Sequence, residues 1–86
     1  MKSAIDQYII DRVREIRKKQ NISQEQLAYS LGFESSAYIG AIESRNPTRN
    51  ECYNSKQLNK IAGILNCSPK DFWPDKPIIE DNQANK

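Results

Sequence analysis

The sequence predicts an all-α fold of five helices, with a helix-turn-helix at helices 2 and 3. Three observations carry this prediction. Apolar residues recur at three- and four-residue spacing through two longer stretches, Ile5-Ile9-Val13-Ile16 and Leu58-Ile61-Ala62-Leu65, which is the period of a helix with one buried face. Ser23, Asn54 and Ser68 each stand three residues before a Gln or Asp, the outline of a capping box at a helix start. Between the two stretches, Gly32 separates two short apolar-periodic segments, and glycine tolerates the positive φ at which helices end.

Helix 1 is expected over 5–19. Asp6 and Asp11 lie early in it and Arg14, Arg17, Lys18 and Lys19 late, an order that suits the helix dipole. The basic group is read as a solvated, dipole-matched helix end. Gln20-Asn21 closes the helix. Ser23 then caps helix 2, with Gln26 completing the box and Ile22 and Leu27 placed as a hydrophobic staple. Gln24 follows the cap, beside free backbone N–H groups that favour a phosphate. Helix 3 is expected from Ser35 or Ser36 to about Ser44, with Ile39 and Ile42 on its inner side. The loop over 44–53 is polar, holds Arg45, Asn46, Pro47, Thr48, Arg49 and Asn50, and Pro47 bars a continuing helix. Helix 4 starts at Asn54 and ends near Asn66. Helix 5 is short, with Ser68 as cap, Pro69 at its first position and Pro74 beyond its end.

The chain has 86 residues, the size of one small domain, here taken as 1–73 with a flexible or extended tail over 74–86. Within the tail, Pro77-Ile78-Ile79 is the segment suited to lie as an extended strand against this or another subunit. The expected core is Ile9, Val13, Ile16, Leu27, Ala28, Leu31, Phe33, Ile39, Ile42, Leu58, Ile61, Ala62, Leu65 and Phe72.

Thirteen Lys and Arg against eleven Asp and Glu leave a net charge of +2, which permits nucleic-acid binding without arguing for it. Cys52 and Cys67 have no histidine to join them, so a four-ligand zinc site is excluded. One disulfide is formally open; two thiols in a reducing cytoplasm is the preferred reading. No leader-like run opens the chain and no window approaches the ~20 apolar residues of a membrane span. A cytoplasmic protein is expected. Without histidine, a Gly-rich phosphate loop, or paired carboxylates other than Glu80-Asp81 in the tail, no catalytic constellation is present and an enzyme is not expected. No cofactor is implied.

Ile22-Ser23-Gln24-Glu25-Gln26-Leu27-Ala28, then Gly32-Phe33, then Tyr38-Ile39 and Ile42-Glu43, resembles the phage repressor and Cro family of helix-turn-helix DNA-binding domains (the XRE-like group). The resemblance spans roughly 9–73. It implies that Gln24 contacts the DNA backbone and that Ser36, Ala37 and Ala41 face bases with Gly40 beside them. One extra residue in the turn, placed around Glu34, brings Ser35 into the same set. Long donors that read guanine or adenine in pairs are absent here. Readout is then modest and partly through DNA shape, or Tyr38 and the 45–49 loop supply contacts, with Arg45 and Arg49 on phosphates. Arg17 and Glu43 are expected to form an ion pair joining helices 1 and 3. They ride matching edges of their stripes, and the family joins these helices in the same way.

Three functions follow. The first is a sequence-specific DNA-binding transcriptional regulator, a repressor, binding double-stranded DNA as a homodimer. The second is an antitoxin or adaptor whose main partner is another protein. The third is a degenerate helix-turn-helix retained for protein contact, which the small Gly40-Ala41 surface allows.

Overall fold

The computed structural model describes residues 2–79; Glu80-Asp81 and the end of the tail lie outside the described residues. The protein is all-α. Its elements are α1 (Ala4–Lys19), α2 (Gln24–Ser30), α3 (Ala37–Glu43), α4 (Ser55–Ile64) and a 3-10 turn (Pro69–Phe72). No strand occurs among the described residues.

Local chemistry fixes most boundaries. Ser23 accepts from the Gln26 amide while the Gln26 side chain accepts from the Ser23 amide, and Asn54 with Gln57 and Ser68 with Asp71 repeat the reciprocal box. α1 starts one residue earlier than its apolar stripe, because Ser3 caps it by accepting from the Asp6 amide at 3.2 Å. The three helices α1, α2 and α4 end alike. Asn21 (φ 59°), Gly32 (φ 93°) and Asn66 (φ 54°) each take the left-handed conformation. The two amides after each C-cap then bond back onto carbonyls of the last turn, as in Gly32 N to Tyr29 O (3.0 Å) and Phe33 N to Ala28 O (2.9 Å). This pairing satisfies carbonyls that a helix end leaves bare, and it turns Phe33 inward.

Two elements differ from expectation. α3 begins at Ala37, since residues 34–36 form bends and Ser36 makes no side-chain cap bond. The fifth element is a four-residue 3-10 turn rather than an α-helix. Its capping box starts it and Trp73 closes it, its N–H donating to Lys70 O at 3.1 Å, leaving no length for i to i−4 bonding.

α3 packs on both α2 and α1, α4 on α2, and the 3-10 turn on α1 and α4. Their shared core is Ile9, Ile10, Val13, Leu27, Ala28, Ile39, Ile42, Tyr53, Leu58, Ile61, Ala62, Leu65 and Phe72. Ile16, Leu31 and Phe33, expected inside, are only partly buried at its margin, whereas Ile10 and Tyr53 are core members the apolar stripe misses. A core-facing helix buries an arc wider than a single i, i+4 row, and Ile10 lies beside Ile9 within that arc. No helix among the described residues is long and apolar enough to cross a membrane.

Candidate nucleic-acid interface

α3 is a seven-residue helix with two unlike sides. Ile39, Ile42 and Glu43 are buried. Ala37, Gly40 and Ala41 stand at i, i+3 and i+4 and share the outer face, with Ser44 following as an extended C-cap. Ala37 is exposed and the other three are half-buried. No side chain on that face extends beyond a methyl or a hydroxymethyl, so another molecule can approach the α3 backbone closely.

The inner side is tied to α1 by a planar fork. Arg17 donates from Nε to Glu43 Oε2 at 3.1 Å and from Nη2 to Glu43 Oε1 at 2.7 Å. Its Nη1 donates to Ile22 O at 2.6 Å, so one guanidinium joins α1, α3 and the entry to α2. Both side chains are almost fully buried, at 7 % and 2 % exposure. Gln24, the first residue of α2, turns the same way and donates from Nε2 to Glu43 Oε1 at 3.1 Å. A Cβ on Gly40 would meet Gln24 Oε1 at 3.5 Å, so Gln24, a half-buried residue, lies across the α2–α3 junction. Arg14 sits further out, its Nε 3.6 Å from Glu43 Oε1. Three donors on one carboxylate satisfy a charge that would otherwise be costly to bury.

Ser35 is exposed and accepts from the Ala37 amide at 3.3 Å, and Ser36 is half-buried beside it. Tyr38 turns toward the loop and α4. Its ring packs on Phe33 with centroids 4.8 Å apart. Its hydroxyl donates to Cys52 O at 3.3 Å and accepts from Gln57 Nε2 at 3.4 Å. An aromatic ring gains by burial and its hydroxyl by a partner, and both are found on the α4 side.

The 44–53 loop is held by its own polar groups. Ser44 Oγ accepts from the Asn46 amide at 3.1 Å, and Asn46 Oδ1 accepts from the amide (3.0 Å) and hydroxyl (2.9 Å) of Thr48. Such Asx-type bonds preorganise a turn. They send the two arginines to different places. Arg45 Nη2 lies 3.4 Å from Asp11 Oδ1 on α1, and Arg49 Nη1 lies 3.2 Å from Glu51 Oε2. Backbone hydrogen bonding at Glu51 itself, aided by Arg49, holds the Glu51 carboxyl below its ordinary pKa. Both arginines are more than half exposed, so their ion pairs are weak and open to exchange for a phosphate.

Tyr53 closes the loop against the core. Burial, with the nearby Glu43 charge, pushes its hydroxyl well above the ordinary phenol range. Cys52 and Cys67 are free thiols, and burial pushes both upward in pKa, the opposite of an activated nucleophile. No group of three or more potential metal ligands occurs among the described residues.

The fold thus gathers Arg17, Gln24 and Arg14 around the Glu43 carboxylate, with Gly40 against Gln24, and leaves Ser35, Ala37, Arg45 and Arg49 exposed and Ala41 half-buried. Arg14 is the member that sequence reasoning passed over. Its signal was present, since it lies three residues from Arg17 and therefore on the same side of α1. No known protein family, curated protein or solved structure matches the chain.

Proposed function

We propose that this protein is a sequence-specific DNA-binding transcriptional regulator, a repressor, in which α2 and α3 form a helix-turn-helix and α3 enters the major groove. In this reading the 3-10 turn stands where the fifth helix of a repressor-like domain would. The observation that carries the proposal is the two-sided α3. Its inner side is locked by the core and the Arg17–Glu43 fork, while its outer face bears only small groups. Ala37 and Ala41 methyls pack on thymine methyls, and Ser35 and Ser36 hydroxyls bond to base edges. Gln24, Arg45 and Arg49 grip phosphates, which fixes the register of α3. With so few long donors, much of the discrimination comes from DNA shape. Tyr38 supports this surface from behind rather than reading bases.

A homodimer would present two α3 helices about 34 Å apart, one turn of duplex. Fluorescence titration of a labelled duplex from the protein's own promoter, against a scrambled duplex at the same salt, tests the reading. Tighter binding to the promoter by about a thousandfold or more is expected of a specific regulator. Equal affinity for both, or none, would refute it. The exposed Trp73 (43 %) and Ile79 (77 %) favour a second reading, an antitoxin or adaptor that binds a protein partner through the 3-10 turn and the segment after it.

A further inference from the structure

The basic end of α1 looks in sequence like an ordinary dipole-matched terminus. The fold changes its company. Arg45, two residues beyond α3, comes back against α1, so that Arg14, Lys18, Lys19 and Arg45 line one open cleft with Asp11 and Glu15. The carboxylates around these cations are already engaged. Asp11 accepts from Gln7 Nε2 at 2.9 Å and faces Arg45, and Glu15 is paired with Arg12. Glu43 is held in two bonds by Arg17 and in a third by Gln24. Lys18 and Lys19 are exposed and have no ion pair among the described residues. Arg14 reaches only the outer edge of a carboxylate that Arg17 already satisfies.

We infer that Arg14, Lys18 and Arg45 form a second phosphate-binding surface, one that carries the DNA backbone past the C-terminal end of α3 and onto α1. This rests on the proposed DNA-binding role and extends it from Arg45, already placed on a phosphate, to the α1 residues Arg14 and Lys18, which have no place in the helix-turn-helix. Continuity argues for DNA rather than a free anion. Arg14 touches the last residue of α3, and Arg45 follows that residue closely, so a strand flanking α3 in a groove meets these cations next. Guanidinium groups bind phosphate in paired geometry, and Lys18 adds a point charge. Lys18 carries a charge unpaired among the described residues, and the Arg14–Glu43 (3.6 Å) and Arg45–Asp11 (3.4 Å) pairs are long and solvent-exposed at the arginine, so a phosphate can exchange for the carboxylate.

The test is the salt dependence of duplex binding. Each phosphate contact contributes about 0.9 to the slope of log affinity against log salt. The paired substitution Arg14→Gln/Lys18→Gln should lower the slope by about 1.8 and weaken binding to promoter and scrambled duplex alike. Lys70→Gln/Lys76→Gln removes the same charge from the far end of the chain and should leave the slope unchanged. Because Arg14 borders the buried pair, Lys18→Gln/Lys19→Gln is run beside it; both residues are exposed, and this variant should also lower the slope with its melting temperature unmoved. Unchanged slopes in both α1 variants, with wild type still binding, would overturn the second surface alone. Equal slope loss in the α1 and Lys70/Lys76 variants would overturn it too, by showing a net-charge effect. Absence of wild-type binding to any duplex would bring down the DNA reading itself.

Discussion

Arg17→Met isolates what the buried fork contributes. Methionine keeps an unbranched apolar stem and removes the charge. Three donated bonds go with it, two to Glu43 and one to Ile22 O. The Glu43 side chain, 2 % exposed, is left with Gln24 and the more distant Arg14. Removing one partner of a buried pair costs about 3–5 kcal/mol, because the other charge stays desolvated. Arg14, half-exposed and 3.6 Å away, can swing in and recover part of this, which sets the expectation near 3 kcal/mol. For a domain of this size that is a fall of roughly 12–24 °C in melting temperature. Arg17→Met/Glu43→Leu replaces both charges and should return to within about 1 kcal/mol of wild type, since the desolvation cost then disappears. Urea denaturation followed by far-UV circular dichroism reads all three proteins, with the m-value checking that the unfolded state is comparable. A loss below about 1 kcal/mol in Arg17→Met would mean the pair behaves as a surface contact, and the reasoning would be wrong.

Other outcomes follow from the same geometry. Gly32→Ala should cost about 1–2 kcal/mol in a thermal melt; nothing lies within 4 Å of the added methyl, so the whole cost is the positive φ. Leu58→Ala, at a site 4 % exposed, should cost about 2–5 kcal/mol, and Leu31→Ala less, because Leu31 only flanks the core; equal losses in denaturation midpoint would show that burial is not the cause. Tyr53 supplies a pH dependence. Its folded pKa is raised, so its contribution is complete below the unfolded phenol value of about 10 and is lost as pH rises above it, when only the unfolded chain ionises. Between pH 10 and 11 wild type should therefore lose about 1 kcal/mol more than Tyr53→Phe, and parallel stability curves for the two would refute the assignment.

What the sequence disclosed and what it hid divide along distance in the chain. Caps at Ser23, Asn54 and Ser68, and the glycine stop at Gly32, are bonds between near neighbours, so their residue types announce them. Leu27, Ile39 and Leu58 sit mid-stripe and are buried in any packing of those helices. Tyr38 illustrates the opposite case. The Cys52 carbonyl and Gln57 that hold its hydroxyl belong to a loop and a helix whose approach no local pattern encodes. Tyr53 looked like loop chemistry for the same reason, since the loop folds its end into the core. Arg45 and Arg49 read as one basic loop, and only the Asn46–Thr48 turn separates them toward α1 and toward Glu51. The short fifth helix became a 3-10 turn because so few residues fit between the Pro69 start and the Trp73 stop.

Ala37→Glu tests most directly whether α3 enters the major groove as proposed. Ala37 is exposed at the first position of α3, where a carboxylate suits the helix dipole, so the free protein should melt at an unchanged temperature. Against DNA the same carboxylate meets base edges and flanking phosphates, and like-charge contacts cost several kcal/mol. Fluorescence anisotropy titration of the promoter duplex should show affinity falling by about 100-fold or more. If Ala37→Glu binds that duplex as tightly as wild type, α3 is not in the groove.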